Sequence, residues 1–132
     1  MLNLALHYNA NQTPVILKNV SNEEEISIRY LEQIIIPLKL SKLVKSIRGA
    51  GGGYILTQPP SCIKLIEIIE ALEGPIALVD CVDDLDHCER SPGCATYEVW
   101  KEATDLLKDY FSNTTLQDLV ERVQEKKPAK KR

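Results

Sequence analysis

At 132 residues the chain can bury one moderate core, or a small domain plus an oligomer interface, and its single tryptophan and single phenylalanine leave that core to aliphatic side chains. The net charge of -3 argues against a globally basic nucleic-acid binder. Met1 to Tyr8 has no basic n-region and too short an apolar run for a signal peptide, and no segment approaches membrane-spanning length, so a cytoplasmic protein without a membrane partner is expected.

Charge is segregated along the chain. Lys39, Lys42, Lys45 and Arg48 follow one another with no acid among them, whereas the stretch from Glu67 to Glu89 is strongly acidic. A local basic face of that kind is what DNA contact requires.

Leu2, Leu4, Ala5, Leu6 and Tyr8 predict a short helical stretch that ends in the loop from Asn9 to Pro14. Val15, Ile16, Leu17 and Val20 continue into another short helix, and Ser21 to Glu25 is polar enough to be a turn. Ser27 then caps a longer helix. Leu31, Ile34, Ile35 and Leu38 recur at helical spacing as one apolar stripe, leaving Arg29, Glu32, Gln33 and Ile36 nearer the other side. Two short helices and a third with a polar N-terminal face suggest helix-turn-helix, in which Arg and Gln can pair with guanine and adenine edges. An ordinary solvated helix face is an equal alternative from this segment alone.

Pro37 lacks the N–H and crowds the preceding turn, so it kinks or shortens the last turns of that helix. Residues 43–48 and 54–57 are β-prone, and Gly49-Ala50-Gly51-Gly52-Gly53 joins them as a hairpin tip, a wing with Arg48 at its base. A phosphate-cradling nucleotide loop is the rival, but neither G-x-G-x-x-G nor G-K-[ST] is present. Leu65, Ile66, Ile68, Ile69 and Leu72 predict a helix stopped at Gly74-Pro75. Cys62, between apolar neighbours just before it, reads as a buried structural thiol.

Cys81, Cys88 and Cys94 form C-x6-C-x5-C, with Asp80, Asp83, Asp84, Asp86 and Glu89 around them and Pro92 and Gly93 supplying turns. Structural zinc usually takes closer pairs and four protein ligands, whereas iron–sulfur clusters tolerate varied spacing and a non-cysteine ligand. A disulfide with a spare thiol stays open but suits a reducing compartment poorly. His87 is a weak candidate for the fourth ligand, with Asp80 or Asp86 as oxygen alternatives. Without metal, nothing apolar holds this loop.

Beyond it, Thr96 is expected to cap a helix carrying Val99, Trp100, Ala103, Leu106, Leu107, Tyr110 and Phe111. Thr115 with Asp118 forms a capping box for a second helix. That much apolar surface suggests a two-fold dimer helix, with an intramolecular hairpin as the alternative. The basic end of the chain, 126–132, reads as a disordered tail.

Tyr30-Leu31-Glu32-Gln33, the run from Leu43 to Ala50, Gly52-Gly53-Tyr54, Leu72 to Pro75 and the three cysteines together resemble the Rrf2 family of bacterial winged-helix regulators. The resemblance implies a mainly α fold with a small β-hairpin wing, a winged helix-turn-helix plus a long dimerisation helix. It divides the chain into a DNA-binding domain over 1–75, a cluster loop over 76–95, a dimerisation helix and C-terminal helix over 96–125, and the tail. It also implies a homodimer on a pseudo-palindromic duplex operator, a repressor rather than an enzyme, and a cluster that tunes DNA binding. Arg29, Tyr30, Glu32 and Gln33 would enter the major groove, with Lys45, Arg48, Gly49, Gly51 and Gly52 forming the wing contact. Cys81, Cys88 and Cys94 would hold the cluster, 2Fe-2S rather than 4Fe-4S, which purification can strip. A cluster-free or zinc-bound regulator working through a protein partner, such as a cysteine-biosynthesis enzyme, is the alternative. Three departures stand out. Met1 falls inside the family's first helix, which is expected to be truncated; Glu25 and Lys42 stand where relatives carry glycine; and Tyr97 stands where a ligating histidine occurs.

Overall fold

A computed structural model describes residues 1–83 and 93–127. The elements in order are α1 (Leu2–Leu6), α2 (Leu17–Glu24), α3 (Ile28–Leu40), β1 (Val44–Ile47), β2 (Gly53–Leu56), a 3-10 turn (Pro60–Cys62), α4 (Leu65–Glu73), α5 (Asp80–Asp83), α6 (Ala95–Asn113) and α7 (Leu116–Lys126). Helices with one two-stranded antiparallel hairpin make a winged helix-turn-helix, the expected class.

The core is aliphatic, as the composition requires. Leu4 and Ala5 of α1, Ile35 and Leu38 of α3, Leu43, Val44 and Leu56 of the hairpin, and Ile63 close around Leu116 and Val120 of α7. Residues 31, 35 and 38 are buried because they repeat at i, i+4, i+7. In the hairpin Val44 pairs with Leu56 and Ile47 with Gly53. Val15 adds a bridge on the other side of β2, exchanging hydrogen bonds of 2.9 and 2.8 Å with Tyr54, and so ties the loop after α1 to the wing.

Four expectations need correction. Ser21 to Glu24 is helical and belongs to α2; the run looks like a turn because only Val20 of that helix is buried and its other faces meet water. The chain turns one residue later, at Glu25, which is left-handed with φ 55°. Cys62 is exposed rather than buried, because its 3-10 turn directs Pro60 and Ile63 inward instead. Cys94, not Thr96, is the N-cap of α6. Finally, α7, expected outside the 1–75 domain, packs into it: Leu65 N–H donates to Thr114 O at 2.9 Å and Leu116 N–H to Ile63 O at 2.8 Å, stitching its start to the end of the 3-10 turn. It ends at Lys126, one residue into the expected tail, and residues 128–132 lie outside those described.

Candidate nucleic-acid interface and cysteine site

The hinge between α2 and α3 is fixed by short-range bonds. Ser21 Oγ donates to Ile26 O at 2.6 Å, and Ser27, the N-cap of α3, accepts from Tyr30 N–H at 3.1 Å. Asn3 of α1 is buried and donates through Nδ2 to Glu23 Oε2 at 2.8 Å and Glu24 Oε1 at 2.9 Å, clipping α1 onto the end of α2. These bonds set the angle at which α3 leaves the body. Its buried stripe points inward, so Arg29, Tyr30, Glu32 and Gln33 are all exposed on the first two turns.

Pro37 is accommodated inside α3, and helical bonding resumes with Ser41 N–H to Pro37 O at 3.0 Å. The helix closes in a Schellman arrangement, with Leu43 N–H to Leu38 O and Lys42 N–H to Lys39 O, both 3.0 Å, and Lys42 left-handed at φ 58°. Glycine would suit that position and Glu25, so each non-glycine residue costs on the order of 1 kcal/mol there.

The wing projects Arg48 into solvent beside a tight turn in which Gly52 N–H donates to Gly49 O at 3.0 Å. Gly49 has φ 104°, and a Cβ on Gly52 would meet Ile47 O at 2.3 Å, whereas one on Gly51 would meet open space. Lys45 faces solvent on β1 and joins Lys39 and Lys42 around an open recess that also takes in Ser46, Thr57 and Gln58. Of the basic residues expected to contact a nucleic acid, Lys45 lines this recess, Arg48 stands beside the hairpin tip and Arg29 is exposed on the first turn of α3.

The cysteine site is built from two elements that pack together. Cys81 lies half-buried on α5, and α5 lies against α6, whose N-cap is the half-buried Cys94. The Cys94 sulfur is 2.9 Å from Thr96 Oγ1. Cys88 and His87, with Asp84, Asp86 and Glu89, lie outside the described residues, and among the described residues no group of three such ligands assembles. Two thiols on adjoining helices, with a third between them in the sequence, are a donor set suited to iron or zinc.

On α6 the expected interface residues divide between two faces. Thr104 is fully buried, accepts from Leu78 N–H at 3.4 Å and donates to Trp100 O at 2.7 Å, which marks the face toward α4 and α5. Leu107 and Phe111, at i+3 and i+7 from it, are half-buried on that side. Trp100, one turn before Thr104 on the same side, stays 43% exposed, and Val99, Ala103, Leu106 and Tyr110 form the outward stripe, with Leu106 71% exposed. Arg122 of α7 donates to the Tyr110 hydroxyl at 3.4 Å, and that hydrogen bond with its charge holds the phenol below its usual range.

Comparison with known proteins agrees with this architecture. A family model, Rrf2, described as an iron-dependent transcriptional regulator, matches residues 1–122. The HTH-type transcriptional regulator CymR of Bacillus subtilis strain 168 is 40% identical over 107 residues, 81% of this chain and 72% of that protein. Its solved structure, that of the global cysteine regulator, superposes with a TM-score of 0.75 at 38% identity, covering 92% of this chain and 87% of the other. The T. potens IscR structure superposes with a TM-score of 0.78 at 32% identity over 98% and 84% of the two chains.

Proposed function

From a chain that belongs to the Rrf2 family of DNA-binding transcriptional regulators, we infer a cytoplasmic dimeric repressor whose hold on its operator is set by an iron–sulfur cluster. The observation that carries the DNA reading is the capped α3, presenting Arg29, Tyr30, Glu32 and Gln33 outward beside a glycine-tipped wing with Arg48 at its base. In this docking the first turns of α3 enter the major groove, where Arg and Gln make paired hydrogen bonds to guanine and adenine edges. Arg48 and the glycine tip reach the minor groove, whose narrow, negative floor attracts guanidinium groups. Lys45 adds phosphate contact. Footprinting on the chain's own upstream region tests this. Sequence-specific protection that is lost in Arg48→Ala is expected; no protection in any metal state would rule the reading out.

For the cluster, the support is the donor set and the family's description as iron-dependent. Cys81, Cys88 and Cys94 would hold it, with the fourth position left to a weaker or exchangeable ligand such as His87, and 2Fe-2S is the type proposed. When bound, a cluster with one labile position supplies redox and gas-sensing chemistry. This chain's residues would hold its iron through thiolates and surround it with carboxylate charge. Anaerobic purification with iron, sulfide and visible absorption should show loss of colour in each of Cys81→Ala, Cys88→Ala and Cys94→Ala, and none in Cys62→Ala, whose thiol is exposed on another element.

A second reading, the alternative raised by the sequence, is a cluster-free or zinc-bound regulator answering to a protein partner, and the similarity to a global cysteine regulator keeps it in play. Stoichiometric zinc without sulfide in the purified protein would favour it.

A further inference from the structure

The outward stripe of α3 changes character half-way along. Arg29, Gln33, Ile36 and Leu40 recur at intervals of four, three and four, which stacks them on one face, and all four are exposed. The first two are hydrogen-bonding side chains. The last two are large aliphatics, Ile36 57% exposed and Leu40 79%. A helix reading base edges by hydrogen bonds alone has no use for a branched aliphatic group in the middle of its reading face.

The floor of the major groove explains what one could do there. Every base edge in it presents hydrogen-bond donors or acceptors, and the single apolar group is the C5 methyl of thymine. Isoleucine held against a guanine or adenine edge would strip water from acceptors without replacing the bond. Held against a thymine methyl, it removes apolar surface of both partners from water. Ile36 lies three and four residues beyond Gln33 and Glu32, about 4.5–6 Å along the helix axis, or between one and two base steps of the duplex. β-Branched side chains in helices are nearly confined to one χ1 rotamer, so the contact would be formed with little loss of freedom. Leu40 is the last residue of α3, a turn further on, and lines an open recess with Ile36 and Lys39.

We propose that Ile36 is a specificity-determining residue that reads a thymine methyl group in the major groove, one to two base steps from the bases met by Glu32 and Gln33. This rests on the groove-facing assignment of α3 made above. The preferred duplex is first selected from random sequences by the full chain. It is then resynthesised with single thymine-to-uracil replacements, each of which deletes one methyl group and nothing else.

One thymine per half-site is expected at which uracil weakens binding by the wild type roughly fourfold, the equilibrium equivalent of exposing one methyl-sized group. Ile36→Ala, an exposed change whose folding is checked by circular dichroism, should bind the thymine and uracil duplexes equally. Its salt dependence should be unchanged, because no phosphate contact is lost. Lys45→Ala, which loses a phosphate contact, should bind more weakly yet keep the uracil penalty. Sequence-specific binding with no penalty at any thymine overturns the proposal, and so does a penalty that survives in Ile36→Ala. A penalty abolished by Leu40→Ala and not by Ile36→Ala also overturns it, moving the contact to the next turn. A selection that returns no preferred sequence overturns instead the groove-facing assignment, and the proposal with it.

Discussion

Gly52 and Gly51 are neighbours in the wing, yet their backbones have opposite needs. A methyl group on Gly52 would sit 2.3 Å from the Ile47 carbonyl oxygen and 2.9 Å from that of Gly49, both backbone atoms that cannot swing away, whereas Gly51 has nothing within 4 Å. Gly52→Ala must therefore open the turn or strain it, at about 1–3 kcal/mol. The expected result is a lowered melting temperature, with Gly51→Ala close to wild type. Equal losses of melting temperature in the two variants would mean that the cross-turn distances do not single out Gly52. The run of glycines was legible in the sequence as a hairpin tip, but which of them is indispensable depends on cross-turn distances that no composition reveals. Cys62 teaches the same lesson from the other side. Its apolar neighbours suggested burial, yet Ile63 takes the inward position and leaves the thiol in solvent.

At the scale of elements, local signals were reliable and destinations were not. The Ser27 cap, the Gly74 stop and the Thr115–Asp118 capping box all appear as read, because each depends on residues three or four apart in the chain. The Val15–Tyr54 bridge was invisible, being one pair of residues joined across 39 positions. α7 is the instructive case. Its apolar face is plain in the sequence, but a face does not say what covers it, and here the 3-10 turn and α1 do so. Leu116, 1% exposed, and Val120 thus belong to the winged domain's own core. Leu116→Ala should cost about 2–5 kcal/mol, read as a lowered urea midpoint. Operator binding should fall along with it. A variant of wild-type stability would detach α7 from the DNA-binding half.

At the scale of the whole molecule, the stripe of Val99, Ala103, Leu106 and Tyr110, with Trp100 at its edge, is apolar surface that α4 and α5 leave uncovered on α6. Sequence spacing alone offered seven residues for an interface. The buried Thr104 separates them, since Trp100, Leu107 and Phe111 share its face, Leu107 and Phe111 half-buried and Trp100 43% exposed. Two copies of α6 related by a two-fold axis would cover the same stripe on both, an isologous contact that pairs Leu106 and Tyr110 with their equivalents. Burying such side chains is worth roughly 1.5–3 kcal/mol each, enough to exceed the lost freedom of association when several are paired. The same axis would set two α3 helices on half-sites one helical turn apart or a multiple of it. Val99→Asp with Leu106→Asp should therefore sediment as a monomer while keeping its helical content, because neither side chain is part of the chain's own core. Its footprint should shrink to weak protection of a single half-site. A dimer that survives both substitutions would place the two-fold axis on another face, and Leu107→Asp would then be expected to unfold the α4–α6 packing rather than separate two copies.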